Sequence, residues 1–209
     1  MTYALTPVPS PDIGRGDGSE GESEQSMKAT EILMDEHRVI ERVLTALEKA
    51  AGRVESGLMR PGFFVDAAEF IKGFADGCHH KKEEGVLFVA LVAHGVPDRD
   101  GPVGVMLAEH EQGRAFTRAM HAAAQKWDTG DPLARREVAR NALGYVALLR
   151  QHIFKENNML FPMADRVIPL AEQDQVTEDF ERVEHEETGE GVHEKYLALA
   201  EKLEKEAYV

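Results

Sequence analysis

The residues best equipped for chemistry fall in two stretches. Cys78-His79-His80-Lys81-Lys82-Glu83-Glu84-Gly85-Val86-Leu87-Phe88 and Gln151-His152-Ile153-Phe154-Lys155-Glu156-Asn157-Asn158-Met159-Leu160-Phe161-Pro162 share the pattern His-x-x-Lys-Glu-x-x-x-Leu-Phe. On a helix, a His and a Glu four residues apart project from one face about one turn apart, so each pair can offer a nitrogen and a carboxylate oxygen to a single point. Such a point suits a metal ion. The Leu-Phe that follows in each copy extends the helix with large apolar side chains able to wall off whatever the polar residues hold.

One His-x-x-x-Glu pair is weak, because many amphipathic helices contain one by chance. Two pairs, each followed at the same distance by Leu-Phe and accompanied by histidines on the intervening segments, match the carboxylate-histidine layout of di-iron helix bundles. The spacing predicts the helices that must position them. Glu31 to about Ser56 carries Ile32, Leu33, Val39, Ile40, Val43, Leu44 and Leu47 at helical spacing, ends at Gly57 and Pro61, and bears His37. Phe63 to about Ala93 bears His79, His80, Glu83 and Glu84 and stops at Gly95 and Pro97. Val103 to about Trp127 bears His110 and His121. Asp131-Pro132 reads as an N-cap with proline at the first helical position, opening a fourth helix from Leu133 to about Ala164 with His152 and Glu156. Leu170 to about Glu206 is again helical, interrupted near Gly189 and Gly191, with His185 and His193.

Met1 to about Ser26 is Pro, Gly, Ser and acid, too poor in apolar surface to offset the entropy of ordering, and reads as a disordered tail. The expected fold is all-α: an antiparallel up-down four-helix bundle over residues 27–164, with a C-terminal helical extension over 165–209 packed on it. No strand pattern of useful length is present. At 209 residues the chain can bury one core without disulfides, and its only cysteine is Cys78. With no apolar h-region or long uncharged run, a reducing cytoplasm is expected. The 24 basic against 38 acidic residues give a net charge of −14, which repels phosphate backbones and anionic membranes, so neither nucleic acid nor membrane is an expected partner.

His37, His79, Glu83, His110, His152 and Glu156 form a donor set of imidazole and carboxylate without thiolate, which suits iron, manganese or zinc. Six donors exceed what one tetrahedral zinc takes. They fit two metals that share the carboxylates and keep open positions for an oxygen ligand. A metal-free helical interaction protein is disfavoured, because buried His and Glu without partners are costly.

With these residues in view the chain resembles the hemerythrin-like, HHE cation-binding family over nearly all of Ala29 to Phe161. The resemblance rests on Asp35-Glu36-His37 with Glu41, on His79-x-x-Lys82-Glu83-Glu84 before Leu87-Phe88, on Glu109-His110, and on His152-x-x-Lys155-Glu156 before Leu160-Phe161-Pro162. It implies two non-haem iron ions with an oxo or hydroxo bridge, His37, His79, His110 and His152 as terminal ligands, and Glu83 and Glu156 as bridges. It further implies an encounter with dioxygen, hydrogen peroxide or nitric oxide, with catalase-like peroxide decomposition as one activity. An iron- or oxygen-sensing protein, whose metal occupancy controls folding or partner binding, is the alternative reading.

The resemblance departs at one place. Oxygen-carrying members have a second histidine one turn after the one in helix three, and this chain has Arg114 there. Glu186, Glu190 and His193 share a face of the fifth segment, and the flanking glycines would let the backbone come close, so Glu190 and His193 are expected as replacement ligands. His80 with Glu84 forms a second pair of the same spacing; superposing the two Leu-Phe dipeptides selects His79 with Glu83 and leaves His80, one residue round the helix, as an extra ligand, a group behind the ligands or a polar neighbour of the site. Glu41, one turn after His37, is a candidate acceptor for a ligand imidazole's other N–H.

Overall fold

Leu33, Ile40, Val43, Leu44 and Leu47 fall on one buried face of α1, Ala29–Gly52, as a 3.6-residue period requires. At its start the Lys28 backbone N–H donates to Glu31 Oε2 at 3.0 Å, relieving one of the groups a helix end leaves bare. The structure, a computed structural model, describes residues 27–189 and 191–209. The stretch read as a disordered tail and the proposed ligand Glu190 lie outside the described residues.

Helix α2 runs over residues 61–93 and is not uniform. Pro61–Phe70 and Phe88–Ala93 are α-helical, whereas Ile71–His79 and Glu83–Leu87 are π-helical on either side of the short turn His80–Lys82. Helix α3 is Pro102–Asp128, with proline in its first turn where no N–H is needed. Helix α4 covers residues 134–167 as Ala134–Lys155, a π-helical Glu156–Leu160, and Phe161–Val167. The expected start at Pro132 is displaced: Asp131 Oδ1 accepts the Leu133 N–H at 2.9 Å, which shapes a turn, and the helix opens at Ala134.

Helix α5 covers residues 170–188, Leu170–Arg182 followed by the π-helical Val183–Thr188, and α6 is Val192–Ala207. Between them Gly189 and Gly191 have φ of 95° and 75°, in the region that favours glycine. They break the helix; they do not carry a backbone against the bundle. No strand occurs among the described residues, and no helix there is long and apolar enough to cross a membrane.

Helix α4 packs along α3 and α1, α2 lies along α3, and α6 covers α1 and α2. Where α6 crosses α2, Gly73 makes room for the Tyr196 ring, since a methyl at that position would collide with the phenol. Two apolar clusters form the interior. One gathers Ile40, Val43, Leu47, Phe63, Phe64, Phe74, Met120, Trp127, Tyr145 and Leu149. The other gathers Leu33, Leu87, Phe88, Leu91, Met106, Leu160, Phe161 and Phe180. In α1 and α3 the chain meets the second cluster first and the first cluster last; in α2 and α4 the order is reversed. On each of these four helices the stretch between the clusters holds the histidines and acids singled out above.

Candidate metal centre

His37, His79, His80, Glu83, His110, His152 and Glu156 are all at most 3% exposed, so no water competes for their polar atoms. They come from α1, α2, α3 and α4, and they meet. His80, Glu83, His110 and His152 bring ligand atoms within 4.8 Å of one another, and so do His37, His79, Glu83 and Glu156. Glu83 belongs to both groups. Glu156 Oε2 lies 3.2 Å from His37 Nε2 and 3.2 Å from His152 Nε2, so it too reaches from one group to the other.

Each imidazole is engaged on its outer side. His37 Nδ1 donates to Asn157 Oδ1 at 2.8 Å, His79 Nδ1 to Glu36 at 2.9 Å, and His80 Nδ1 to Asp76 at 2.8 Å. His110 Nδ1 donates to Glu84 at 2.7 Å and His152 Nδ1 to Glu109 at 2.9 Å. All five partners are oxygens that can only accept, so each ring holds a proton on Nδ1 and turns Nε2 inward, with a lone pair there when the ring is neutral.

What those lone pairs face decides the chemistry. Nε2 of His37, His79 and His80 and all four carboxylate oxygens of Glu83 and Glu156 are buried without a hydrogen-bond donor. His110 Nε2 and His152 Nε2 stand 3.0 Å apart, close enough to share one positive charge, a proton or a metal ion. Such an arrangement is strongly unfavourable unless positive charge lies between the groups. The titration directions report the same demand. Burial opposes charge on His79, yet Glu83 and Glu36 outweigh it and carry its pKa up to about 10. Burial pushes Glu156 up, but His152 and His37 overcome it and hold the carboxyl well below its usual range. His80 goes the other way: burial, with His110, His79 and His152 beside it, keeps it neutral, the form in which imidazole binds metal. The donor set fits two metal ions.

The model of the hemerythrin HHE cation-binding domain matches residues 28–164. The chain belongs to the hemerythrin HHE cation-binding family. Among curated relatives, uncharacterized proteins of Mycobacterium bovis and of two strains of Mycobacterium tuberculosis are 27% identical over 198 residues, covering 94% of this chain and 76% of theirs. No solved structure matches it.

His80, from α2, joins the four histidines the resemblance names, its ring stacked on that of His110 with centroids 3.8 Å apart. Arg114 stands behind them, Nε 3.2 Å from Asp76 and a terminal nitrogen 2.6 Å from Glu84, bracing the two acids that hold His80 and His110. His193, expected as the replacement, is in neither group. It falls in a third set, its ligand atom within 4.8 Å of those of Glu36, Cys78 and Glu184; its side chain is 30% exposed and its Nδ1 lies 3.5 Å from Glu184 Oε1.

Glu41 is exposed, and the acceptor role falls to Glu36 and Glu109, the acids directly before His37 and His110. The two halves correspond closely: acid and histidine are 43 residues apart in both, and the same acid meets Lys82 or Lys155 at a separation of 46. Both acid-His dipeptides stood among the residues that carry the resemblance; which histidine each acid serves was not legible there.

Proposed function

We propose that His37, His79, His80, Glu83, His110, His152 and Glu156 hold two iron ions inside an antiparallel up-down four-helix bundle, and that the protein there binds or reacts with dioxygen, peroxide or nitric oxide. Iron held at such a site supplies one-electron chemistry between ferrous and ferric states. The chain supplies the rest. Glu83 and Glu156 lie between the two groups, five Nδ1–H contacts fix the rings, and Phe161 and Phe88 lie stacked beside His37 and His110, with centroids 5.5 and 5.8 Å away, keeping water from that side.

The observation that carries this reading is the pair of Nε2 atoms facing each other at 3.0 Å above carboxylates that have no donor. The alternation of the two apolar clusters along the helices supports the up-down arrangement. A lone, buried Cys78, whose thiol burial and Glu36 push up to about 11, supports a reducing, cytoplasmic setting in which it stays inert. Imidazole and carboxylate donors also accept manganese or zinc.

Metal analysis of protein purified without added iron, with an optical spectrum before and after peroxide, tests the proposal. Two irons per chain and a spectrum that peroxide changes are expected. Fewer than two metals, or zinc alone, would sink it.

A further inference from the structure

Lys82 and Lys155 hold equivalent places in the two motif copies. Each ammonium contacts the acid that anchors an imidazole: Glu36, which holds His79, and Glu109, which holds His152. Their surroundings differ. The Lys155 side chain is 31% exposed, whereas that of Lys82 is 1% exposed. Glu184 of α5 closes over Lys82, its Oε2 2.8 Å from Nζ. That acid lies beyond residues 28–164, the part of the chain the family model covers.

A line of charge-assisted contacts therefore runs inward from the surface. Glu184 is 36% exposed and accepts from Lys82, Lys82 donates to Glu36 Oε1 at 2.6 Å, and Glu36 Oε2 accepts the His79 Nδ1–H at 2.9 Å. His193 Nδ1 lies 3.5 Å from the other oxygen of Glu184, and its ring rests against Phe74 with centroids 5.4 Å apart. Among the described residues no second acid closes over Lys155, which meets solvent.

We propose that Glu184 is a positioning residue of the metal centre: through Lys82 and Glu36 it sets how strongly His79 donates, and so which oxidation state its ion prefers. This rests on the metal-centre reading above. The physical basis is a row of alternating charges in a region of low dielectric, where each feels its neighbours strongly. Glu36 divides its negative charge between the Lys82 ammonium and the His79 N–H. Glu184 occupies part of the ammonium's field. Without it, Lys82 draws harder on Glu36, the His79 N–H is polarised less, and the imidazole becomes a weaker donor. A ferric ion, needing more donation, loses more than a ferrous one.

The outer partner of a ligand is worth 10–100-fold in metal affinity; Glu184 acts one contact further out. For Glu184→Gln in the full iron-loaded chain, the ratio of ferric to ferrous affinity is expected to fall about tenfold, which for one electron raises the midpoint by about 59 mV. Spectroelectrochemical titration reads it. Iron content should stay at the wild-type value, and Glu184→Asp should restore most of the shift. Tyr196→Ala, which loosens α6 from α2 without touching Lys82, separates tuning from mere loss of packing: it should lower the melting temperature and leave the midpoint in place. A midpoint unchanged in Glu184→Gln, or shifted as much by Tyr196→Ala, overturns the inference while leaving the metal centre standing. Wild-type protein that takes up no metal overturns both.

Discussion

Each imidazole of the centre is spoken for on one edge and bare on the other, so the residues that matter extend one layer beyond those that would touch metal. Replacing the Glu109 carboxylate by an amide in Glu109→Gln weakens the acceptor behind His152, and metal affinity is expected to fall about 10–100-fold in competition with a chelator. Glu41→Gln, on an exposed residue, should change nothing. His80→Ala removes the inward nitrogen that α2 adds to His110 and His152. Its group should lose its metal while that of His37 and His79 keeps one, a loss metal analysis would register. Proton linkage gives a further test. His79 has its pKa carried from the ordinary 6.5 to about 10 in the folded, metal-free chain. Between those values the folded chain keeps a proton that the unfolded chain releases, so this contribution to stability is whole below pH 6.5 and is lost as pH rises through 10. Melting temperatures of the metal-free protein should decline across that window. Metal affinity should rise over the same range, because binding displaces the proton. At this scale the sequence disclosed the duplicated His and Glu and left His80 undecided between extra ligand and polar neighbour. Successive residues on a regular helix point about 100° apart, and a reading on that template cannot aim His79 and His80 into one site.

Among the elements, the π-helical segments account for that ambiguity. Ile71–His79 ends on one ligand candidate, Glu83–Leu87 and Glu156–Leu160 begin on two others, and extra residues per turn re-aim the side chains that follow. Apolar periodicity located the long helices within a few residues but is blind to such inserts, since the apolar face persists through them. It also misplaced the start of α4, where a proline that fits a first turn serves an Asx turn. In the other direction, Gly189 and Gly191 were legible as an interruption, and their backbone angles show why. Gly191→Ala forces a side chain into the left-handed region and is expected to cost about 1–2 kcal/mol in denaturant titration, with metal content unchanged.

Over the whole molecule, a polar layer is sealed between two apolar clusters, and its charges are the least stable part of the interior until balanced. Iron should therefore stabilise the fold. A metal present at 1,000 times its dissociation constant adds about 4 kcal/mol, and for a chain of this size each kcal/mol moves the melting temperature by about 2–4 °C. Removing iron with a chelator is expected to lower the calorimetric midpoint by roughly 8–16 °C. The all-helical class was plain in the sequence from four long amphipathic segments, and the family from residues spread over all four of them. The link between α5 and the centre was not, because a glutamate 102 residues after Lys82 carries no local sign of its partner. The order of residues along the chain has a bearing on biosynthesis. Synthesis proceeds from the N-terminus, so a nascent polypeptide exposes the five histidines and both acids of the proposed centre before Glu184 has left the ribosome. The proposed cradle thus emerges before its outer cover has been made.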